Sequence, residues 1–464
     1  MALNVVIMAA GRGTRMRSAR PKVLNRLAGR ALLQHVLDAV EPLGASRVVV
    51  VTGHGASDVE AALAAPGRTF VRQEPQLGTG HAVQQALPSL DADGTTLILN
   101  GDVPLIEPAT LRALVAASAG DRLALLTVRL ADPSGYGRVV RRVATNGAIE
   151  SIVEEKDASE EQRRIDEIYT GAMAAPTALL RRWLGALRND NAAGEYYLTD
   201  VVRLAVAGST PVAAVVASAE AEVLGVNSAA QLAQLERLFQ ARAAARLMAE
   251  GVRIADPARF DLRGTLRCGS DVEIDIDCIF EGEVELGEGV RVGAFCIVRN
   301  ARIAAGATIR PFSHIDGESL GASVGAGASV GPFARLRGGA ELGPDVHIGN
   351  FVEVKNSTLG RGAKANHLAY LGDASVGERV NFGAGGITAN YDGANKHRTT
   401  IGAGAHIGSN SVLVAPVTVG EGATVGAGSV IARDAPAGQL TVARSRQESL
   451  AGWTRPKKKS DPIA

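Results

Sequence analysis

Aromatic side chains are scarce in this chain. Phe, Trp and Tyr make up 4% of its 464 residues, whereas glycine occurs 54 times. That balance suits a fold packed with small aliphatics. Cysteine is nearly absent: Cys268, Cys278 and Cys296 are an odd set with no metal-ligand spacing. This argues against a disulfide framework or a cysteine-held metal and points to a reducing cytoplasm. Cys296 falls in a small inward slot, where inert packing is its role. The net charge is +1, so no footprint for nucleic acid or membrane binding is present. No apolar run is long enough to span a bilayer. The apolar start Val5 to Ala10 runs into Arg12, Arg15 and Arg17, the reverse of a secretory signal. Lys457, Lys458 and Lys459 read as a solvated tail.

The chain instead has a rhythm of six. Val324, Val330, Leu336, Leu342, Ile348 and Val354 form one run; Ile401, Ile407, Leu413, Val419, Val425 and Ile431 form another. Glycine usually follows the aliphatic, and a small residue stands four on. A period of six is the hexapeptide repeat of a parallel β-helix. The aliphatic points inward, the small residue fits the bend and glycine relieves the backbone. Three hexads close a turn, and turns stack roughly 4.8 Å apart. One residue is dropped between Val354 and Leu359, and the phase slips again at Val376 and Phe382. Ile387 to Thr400 breaks the rhythm and predicts an external loop, the place where solenoids carry chemistry.

At this length more than one core is expected. Before the repeats, strand and helix patterns alternate: strands at 3–8, 47–51, 69–71, 95–99 and 123–128, with helices at 32–40 and 58–64. Such alternation predicts a mostly parallel sheet covered on both faces, with ligands at the C-terminal strand ends. Ser228 caps a helix to about Glu250, with Gly251 as its stop. The expected units are 1–226, a linker helix at 227–250, and 251–464.

Gly11-Arg12-Gly13-Thr14-Arg15 follows the first strand, with Lys22 behind Pro21. Backbone N–H groups there can approach phosphate, and Arg15 and Lys22 bring countercharge. Met16 stands where a dinucleotide fingerprint needs its third glycine, and the Gly-Lys-Ser/Thr of a P-loop is missing. Asp102, at a strand end, reads either as a magnesium ligand or as a turn aspartate. Gln73 with Gly78-Thr79-Gly80-His81-Ala82 could read a base edge; alternatively Thr79 is a helix cap.

Met8-Ala9-Ala10-Gly11-Arg12-Gly13-Thr14-Arg15-Met16 with Pro21-Lys22 resembles the signature of sugar-1-phosphate nucleotidyltransferases. With Asn366-His367-Leu368-Ala369-Tyr370 and Asn390-Tyr391-Asp392-Gly393-Ala394-Asn395-Lys396, the sequence from residue 3 to Lys459 resembles a bifunctional bacterial family. Its members are N-acetylglucosamine-1-phosphate uridyltransferases and glucosamine-1-phosphate acetyltransferases in one chain. The resemblance implies an α/β, Rossmann-like nucleotidyltransferase domain followed by a left-handed parallel β-helix. It implies that the first half joins UTP to N-acetylglucosamine 1-phosphate and releases pyrophosphate. Arg15 and Lys22 would face phosphates, and Asp102 with Asn227 would hold Mg²⁺. Gln73, Gly78 and Thr79 would contact uracil, and Gly137 and Glu154 the sugar. Met8, Ala9, Ala10, Gly11, Asn100, Gly101 and Tyr169 belong to the same nucleotide and sugar site. Tyr169-Thr170-Gly171 stands where the family usually has Asn-Thr-Gly, and Asn100 where Tyr is common before Gly-Asp.

In the second half, His367 lies two past the inward Ala365 and on position alone reads as a surface histidine. Arg337 and Lys355 are one turn apart, a spacing that stacks two cations for a phosphate. By resemblance His367 is the general base that takes a proton from the amine of glucosamine 1-phosphate as it attacks acetyl-CoA. Arg337 and Lys355 then bind the sugar phosphate, with Tyr370, Asn381 and Lys396 beside it. Ala384, Asn390, Tyr391, Ser409, Ala427 and Arg444 match acetyl-CoA contacts. The resemblance also implies a homotrimer with acetyl-transfer sites where subunits meet, and a product, UDP-N-acetylglucosamine, that feeds peptidoglycan and lipopolysaccharide. The alternative is a nucleotidyltransferase whose β-helix only assembles subunits; it has no use for the His367 and Asn390-Tyr391 set.

Overall fold

The computed structural model describes residues 2–142 and 147–456. The lysines at 457–459 lie outside the described residues. The chain divides into two compact units, Met1–Ala243 and Ala244–Ala464.

The first unit is built on a sheet of nine strands among the described residues. In spatial order its main path is Val212–Val216, Leu123–Arg129, Glu167–Pro176, Thr95–Asn100, Leu3–Met8, Arg47–Thr52 and Arg68–Arg72. The central strands are apolar on both faces. Val5 and Ile7 enter one core and Val6 the other, as a sheet covered on both sides requires. The pairing is parallel except around Glu167–Pro176, which runs antiparallel to both neighbours. That strand also carries a hairpin, Gly137–Arg142 with Ala148–Val153. Simple alternation did not predict this antiparallel insert, and it forms one wall of the site below. The Ala229–Ala249 helix packs on this unit through Leu235, against Leu27, Leu32, Leu105 and Val226. The division between units falls inside that helix, short of Gly251.

The second unit is the predicted solenoid. Successive short strands pair in parallel with their counterparts one turn on. One sheet of eleven strands makes one face, and a sheet of sixteen bends to make the other two. The two aliphatic runs point inward; Val324 to Val354 are at most 4% exposed. Each such side chain stabilises the coil by roughly 1.5–3 kcal/mol relative to exposure.

The phase slips have a plain cause. Val330 pairs with Ile348 eighteen residues on, but Ile348 pairs with Ala365, and Ala365 with Phe382, after seventeen. The corner, not the strand, loses the residue. The predicted break is shorter than its sequence suggested: Ile387–Ala389 and Thr399–Ile401 are strands, which leaves 390–398 as the loop. A second corner insertion, near Gly317 to Gly321, went unread. It lengthens the step from Ile315 to Leu336 to twenty-one residues.

Candidate functional sites

In the first unit the strand ends at Met8 and Asn100 open into a cleft of about 620 Å³. Met8, Ala9, Ala10, Gly11, Arg12, Lys22, Gln73, Gln76, Gly78, Thr79, Asn100 and Asp102 line it, with Ala82 and Glu195. Lys22 is half-hidden on this floor. Its ammonium donates to Asp102 and, at 3.2 Å, to Asn227 Oδ1. A carboxylate oxygen and an amide oxygen thus already converge on a cation. That donor set fits a hard divalent ion that keeps water or phosphate oxygens as its remaining ligands. Gly101 holds the strand end through its N–H to the Met8 carbonyl at 2.9 Å.

Gln73 is buried, and its amide donates to the Gly78 carbonyl at 2.8 Å. Thr79 begins a helix but does not cap it; its hydroxyl accepts from Leu198 N–H at 3.0 Å. Gln76, which sequence reasoning missed, donates to the Ala10 carbonyl at 2.7 Å and ties the glycine loop to the opposite wall. Arg15 is exposed on the short turn Thr14–Met16. It is Arg12, not Arg15, that lines the cleft.

The antiparallel insert brings the sugar candidates together. Tyr169 pairs with Gly137 across the strands, and a Cβ on Gly137 would stand 3.6 Å from Glu154 Oε2. Burial raises the Glu154 carboxyl above its ordinary value, against the pull of the Thr199 hydroxyl that donates to it at 2.9 Å. Tyr169 is buried, and among the described residues its hydroxyl has no hydrogen-bond partner. Burial first, then the nearby Glu154, holds that phenol well above its usual range. Asn100 packs against Gly171, where any side chain would collide with its amide.

On the coil, His367 ends a strand and is exposed. Its Nδ1 donates to Asn350 Oδ1 at 2.7 Å, which leaves the Nε2 lone pair free to take a proton. Asn350 was also missed; its position one turn before His367 was the available signal. Arg337 and Lys355 do stack, since Leu336 pairs with Val354 beside them. They are not uncompensated: Arg337 donates to Glu318 at 3.3 Å and to Glu353 at 3.2 Å. Glu318 comes from the unread corner insertion. Desolvation first, then the charges of Arg337 and Lys396, lowers the Lys355 ammonium from its usual value. Lys396 therefore lies in this cluster.

The 390–398 loop is anchored at its base. Asn390 is buried and donates to Asp373, which also receives the Asn356 amide. Its side chain faces the coil, while Tyr391 next to it is 62% exposed. Asp392 accepts from the backbone of Asn395 and Ala394 and from His397, bonds that hold its carboxyl well below the usual range. The Tyr370 ring folds over Gly372. Ala384, Ser409 and Ala427 come from successive turns, joined by Asn410 N–H to Ala384 O and Gly428 N–H to Ser409 O. Arg444 donates to the Ala427 carbonyl at 2.6 Å. Asn381 is not brought to Tyr370: it stands on the eleven-stranded face, beside His406.

The chemistry of both regions agrees with known proteins. Residues 5–254 match the MobA-like NTP transferase domain, and residues 398–433 match six repeats of the bacterial transferase hexapeptide. The chain is thus a nucleotidyltransferase followed by a hexapeptide-repeat transferase. Over 463 residues it is 69% identical to "Bifunctional protein GlmU" of Methylibium petroleiphilum, covering 98% of this chain and 100% of that one. It is 65% identical to the protein of that name in Acidovorax ebreus, covering 99% of each. The figure is 66% for that of Polaromonas naphthalenivorans, covering 98% of each. The chain belongs to the GlmU family and is a bifunctional transferase.

Proposed function

We propose that the two halves make UDP-N-acetylglucosamine in sequence. On the coil, the amine of glucosamine 1-phosphate attacks the thioester carbon of acetyl-CoA. The new C–N bond replaces the C–S bond, and coenzyme A leaves as the thiol. His367 Nε2 takes the proton from the attacking nitrogen, held in that tautomer by Asn350. Arg337, Lys355 and Lys396 bind the sugar phosphate, with Tyr370 at the sugar and Asn381 brought there from a neighbouring copy of the trimer. Ala384, Asn390, Tyr391, Ser409, Ala427 and Arg444 line the acetyl donor's path.

In the cleft, a phosphate oxygen of N-acetylglucosamine 1-phosphate attacks the α-phosphorus of UTP, and pyrophosphate leaves. The work of this site is positioning and charge neutralisation between two polyanions. Asp102 and Asn227 would hold Mg²⁺, which when bound supplies positive charge to the phosphate oxygens. Lys22 and Arg12 add their own charge there, with Arg15 at the loop edge. Gln73, Gly78 and Thr79 take the uracil, and Gly137, Glu154 and Tyr169 the sugar. The protein works as a homotrimer in the cytoplasm. Unpaired cysteines support that compartment, and among the described residues no helix is long and apolar enough to cross a membrane.

The observation that carries this reading is that one chain holds both the Lys22–Asp102–Asn227 cluster, in its first unit, and the Asn350–His367 pair, in its second. A split assay tests it. Thiol release from acetyl-CoA and glucosamine 1-phosphate is followed in one tube. Pyrophosphate release from UTP, N-acetylglucosamine 1-phosphate and Mg²⁺ is followed in another. Both are expected; pyrophosphate without thiol would reduce the coil to an assembly platform.

A further inference from the structure

The lengthened corner at 317–321 carries one residue that its backbone does not favour. Along this edge of the coil, successive turns bend through a left-handed residue. Gly282, Asn300, Glu318, Gly339, Asn356 and Asp373 all have φ between 45° and 75°. Glycine, asparagine and aspartate suit that region, whereas a glutamate there is strained. Glu318 is the exception in the column.

The strained residue is also closely held. Its N–H donates to Asp316 Oδ1 at 2.9 Å, and its carbonyl accepts the Asn300 amide at 2.7 Å. A Cβ on Gly338 would stand 3.2 Å from Glu318 Oε2, so the bare backbone at 338 leaves the carboxylate its room. That carboxylate accepts from Arg337 Nε at 3.3 Å, and its charge reaches Lys355 as well.

Arg337 therefore has two carboxylates on it, Glu318 at Nε and Glu353 at Nη1. A guanidinium grips a phosphate best through two parallel N–H groups. A phosphate that pairs with Arg337 in that way has to displace one of the two. Glu353 lies on the strand Glu353–Lys355 and also holds Arg335 at 3.8 Å. Among the described residues Glu318 has Arg337 as its one ion-pair partner, and it is the more exposed of the pair. Glu318 is the anion that yields.

We propose that Glu318 is a resident counter-ion of the sugar-phosphate site. It sits on Arg337 while the site is empty and is exchanged for the phosphate when the sugar binds. The proposal rests on the reading that Arg337, Lys355 and Lys396 bind that phosphate, and adds the residue that tunes how tightly they do so. Clustered cations repel one another when no anion lies among them. Glu318 relieves that repulsion in the free protein, and so removes part of the attraction a phosphate would otherwise gain. The same exchange serves the product, which keeps its phosphate through acetyl transfer: the returning carboxylate helps it leave. The strain at Glu318 then has a use, since a residue held against its backbone preference by its surroundings marks a functional position.

The test is Glu318→Gln, which keeps the size of the side chain and removes its charge. KM for glucosamine 1-phosphate is expected to fall about fivefold, the scale of one partly exposed charge pair. Inhibition by N-acetylglucosamine 1-phosphate is expected to tighten by a similar factor. KM for acetyl-CoA is expected to stay within about twofold, which a general loosening of the coil would not spare. Glu318→Asn, which suits the positive φ and is too short to reach Arg337, is expected to do the same and to make the coil harder to unfold. Glu285→Gln removes an equal charge elsewhere on the coil, where it pairs with Arg267 and Arg302, and is expected to leave both KM values unchanged. A KM for the sugar phosphate that is unchanged or raised in Glu318→Gln overturns the counter-ion and makes Glu318 a support for Arg337. Calorimetric titration with glucosamine 1-phosphate alone separates this from the catalytic reading. Tighter binding in Glu318→Gln, with no thiol released by the wild type, upholds the exchange and overturns acetyl transfer. Thiol release by the wild type, with no tightening in the variant, does the reverse.

Discussion

Lys22, Asp102 and Asn227 meet at one point although Lys22 and Asn227 are 205 residues apart in sequence. In the coil, the closest functional neighbours, Asn350 with His367 and Arg337 with Lys355, are each one turn apart. The α/β unit folds back on itself, so strand ends from distant segments line one concave cleft. The solenoid contacts only its neighbouring turns. Its reactive groups are therefore spread along corners, on exposed surface, over more than one face. A concave fold can finish a site alone, whereas a solenoid needs an insertion or a neighbouring chain. The 390–398 loop is such an insertion.

The contrast can be broken first at the metal candidate. Asp102→Ala should cut uridylyl transfer about 10⁴-fold, some 5.5 kcal/mol of transition-state stabilisation. Acetyl transfer by the same preparation should be unchanged; a parallel loss would mean the two units do not work separately. Next, His367→Ala should lower acetyl transfer about a thousandfold, the middle of the range for a proton-transfer group. Pyrophosphate release would stay within twofold. Asn350→Ala, which frees the imidazole tautomer, should lower kcat for acetyl transfer less than His367→Ala, with KM little changed.

A core change sharpens the comparison through stability. Ile348 is 1% exposed, and Ile348→Ala should cost about 2–5 kcal/mol, as buried truncations do. In denaturant titrations with both activities as readouts, acetyl transfer should fail first. Simultaneous loss would show that the units unfold together. The smallest effect concerns Glu154. Its folded-state carboxyl is raised by burial, so the native state holds a proton that the unfolded chain has already lost. Stability of this unit should decline as pH rises from the ordinary glutamate value to the raised one, and level off above it. Glu154→Gln should remove that slope in unfolding curves followed by Trp183 fluorescence, with Trp453 replaced by Phe.

Much of this was legible in the sequence because repeats encode themselves. The six-residue period names the coil, and its inward rows are the predicted ones. The parallel strands of the first unit were legible from their apolar runs. The Glu167–Pro176 strand was not, because Glu167, Thr170 and Gly171 break its apolar pattern and nothing in it marks antiparallel direction. Site residues with a motif around them, such as Lys22, Asp102 and His367, stood out. Gln76, Asn350 and Glu318 did not, because their meaning lies in what they touch. Arg12 and Arg15 show the same limit: both sit in the motif, and only the turn at Thr14–Met16 decides which one reaches the cleft.

The unequal turns have a further consequence. Steps of 17, 18 and 21 residues carry one inward row to the next without disturbing it. The core behaves like a text with a reading frame that is reset at each corner. A residue inserted at a corner is absorbed in the bend. The same residue inserted within a strand would turn every following side chain of that strand to the opposite face. Such a frame lets corners vary in length while the rows between them stay fixed. Both irregular corners, near Glu318 and at 390–398, bring residues to the Arg337–Lys355–Lys396 cluster. The coil gained chemistry where its frame was free to slip.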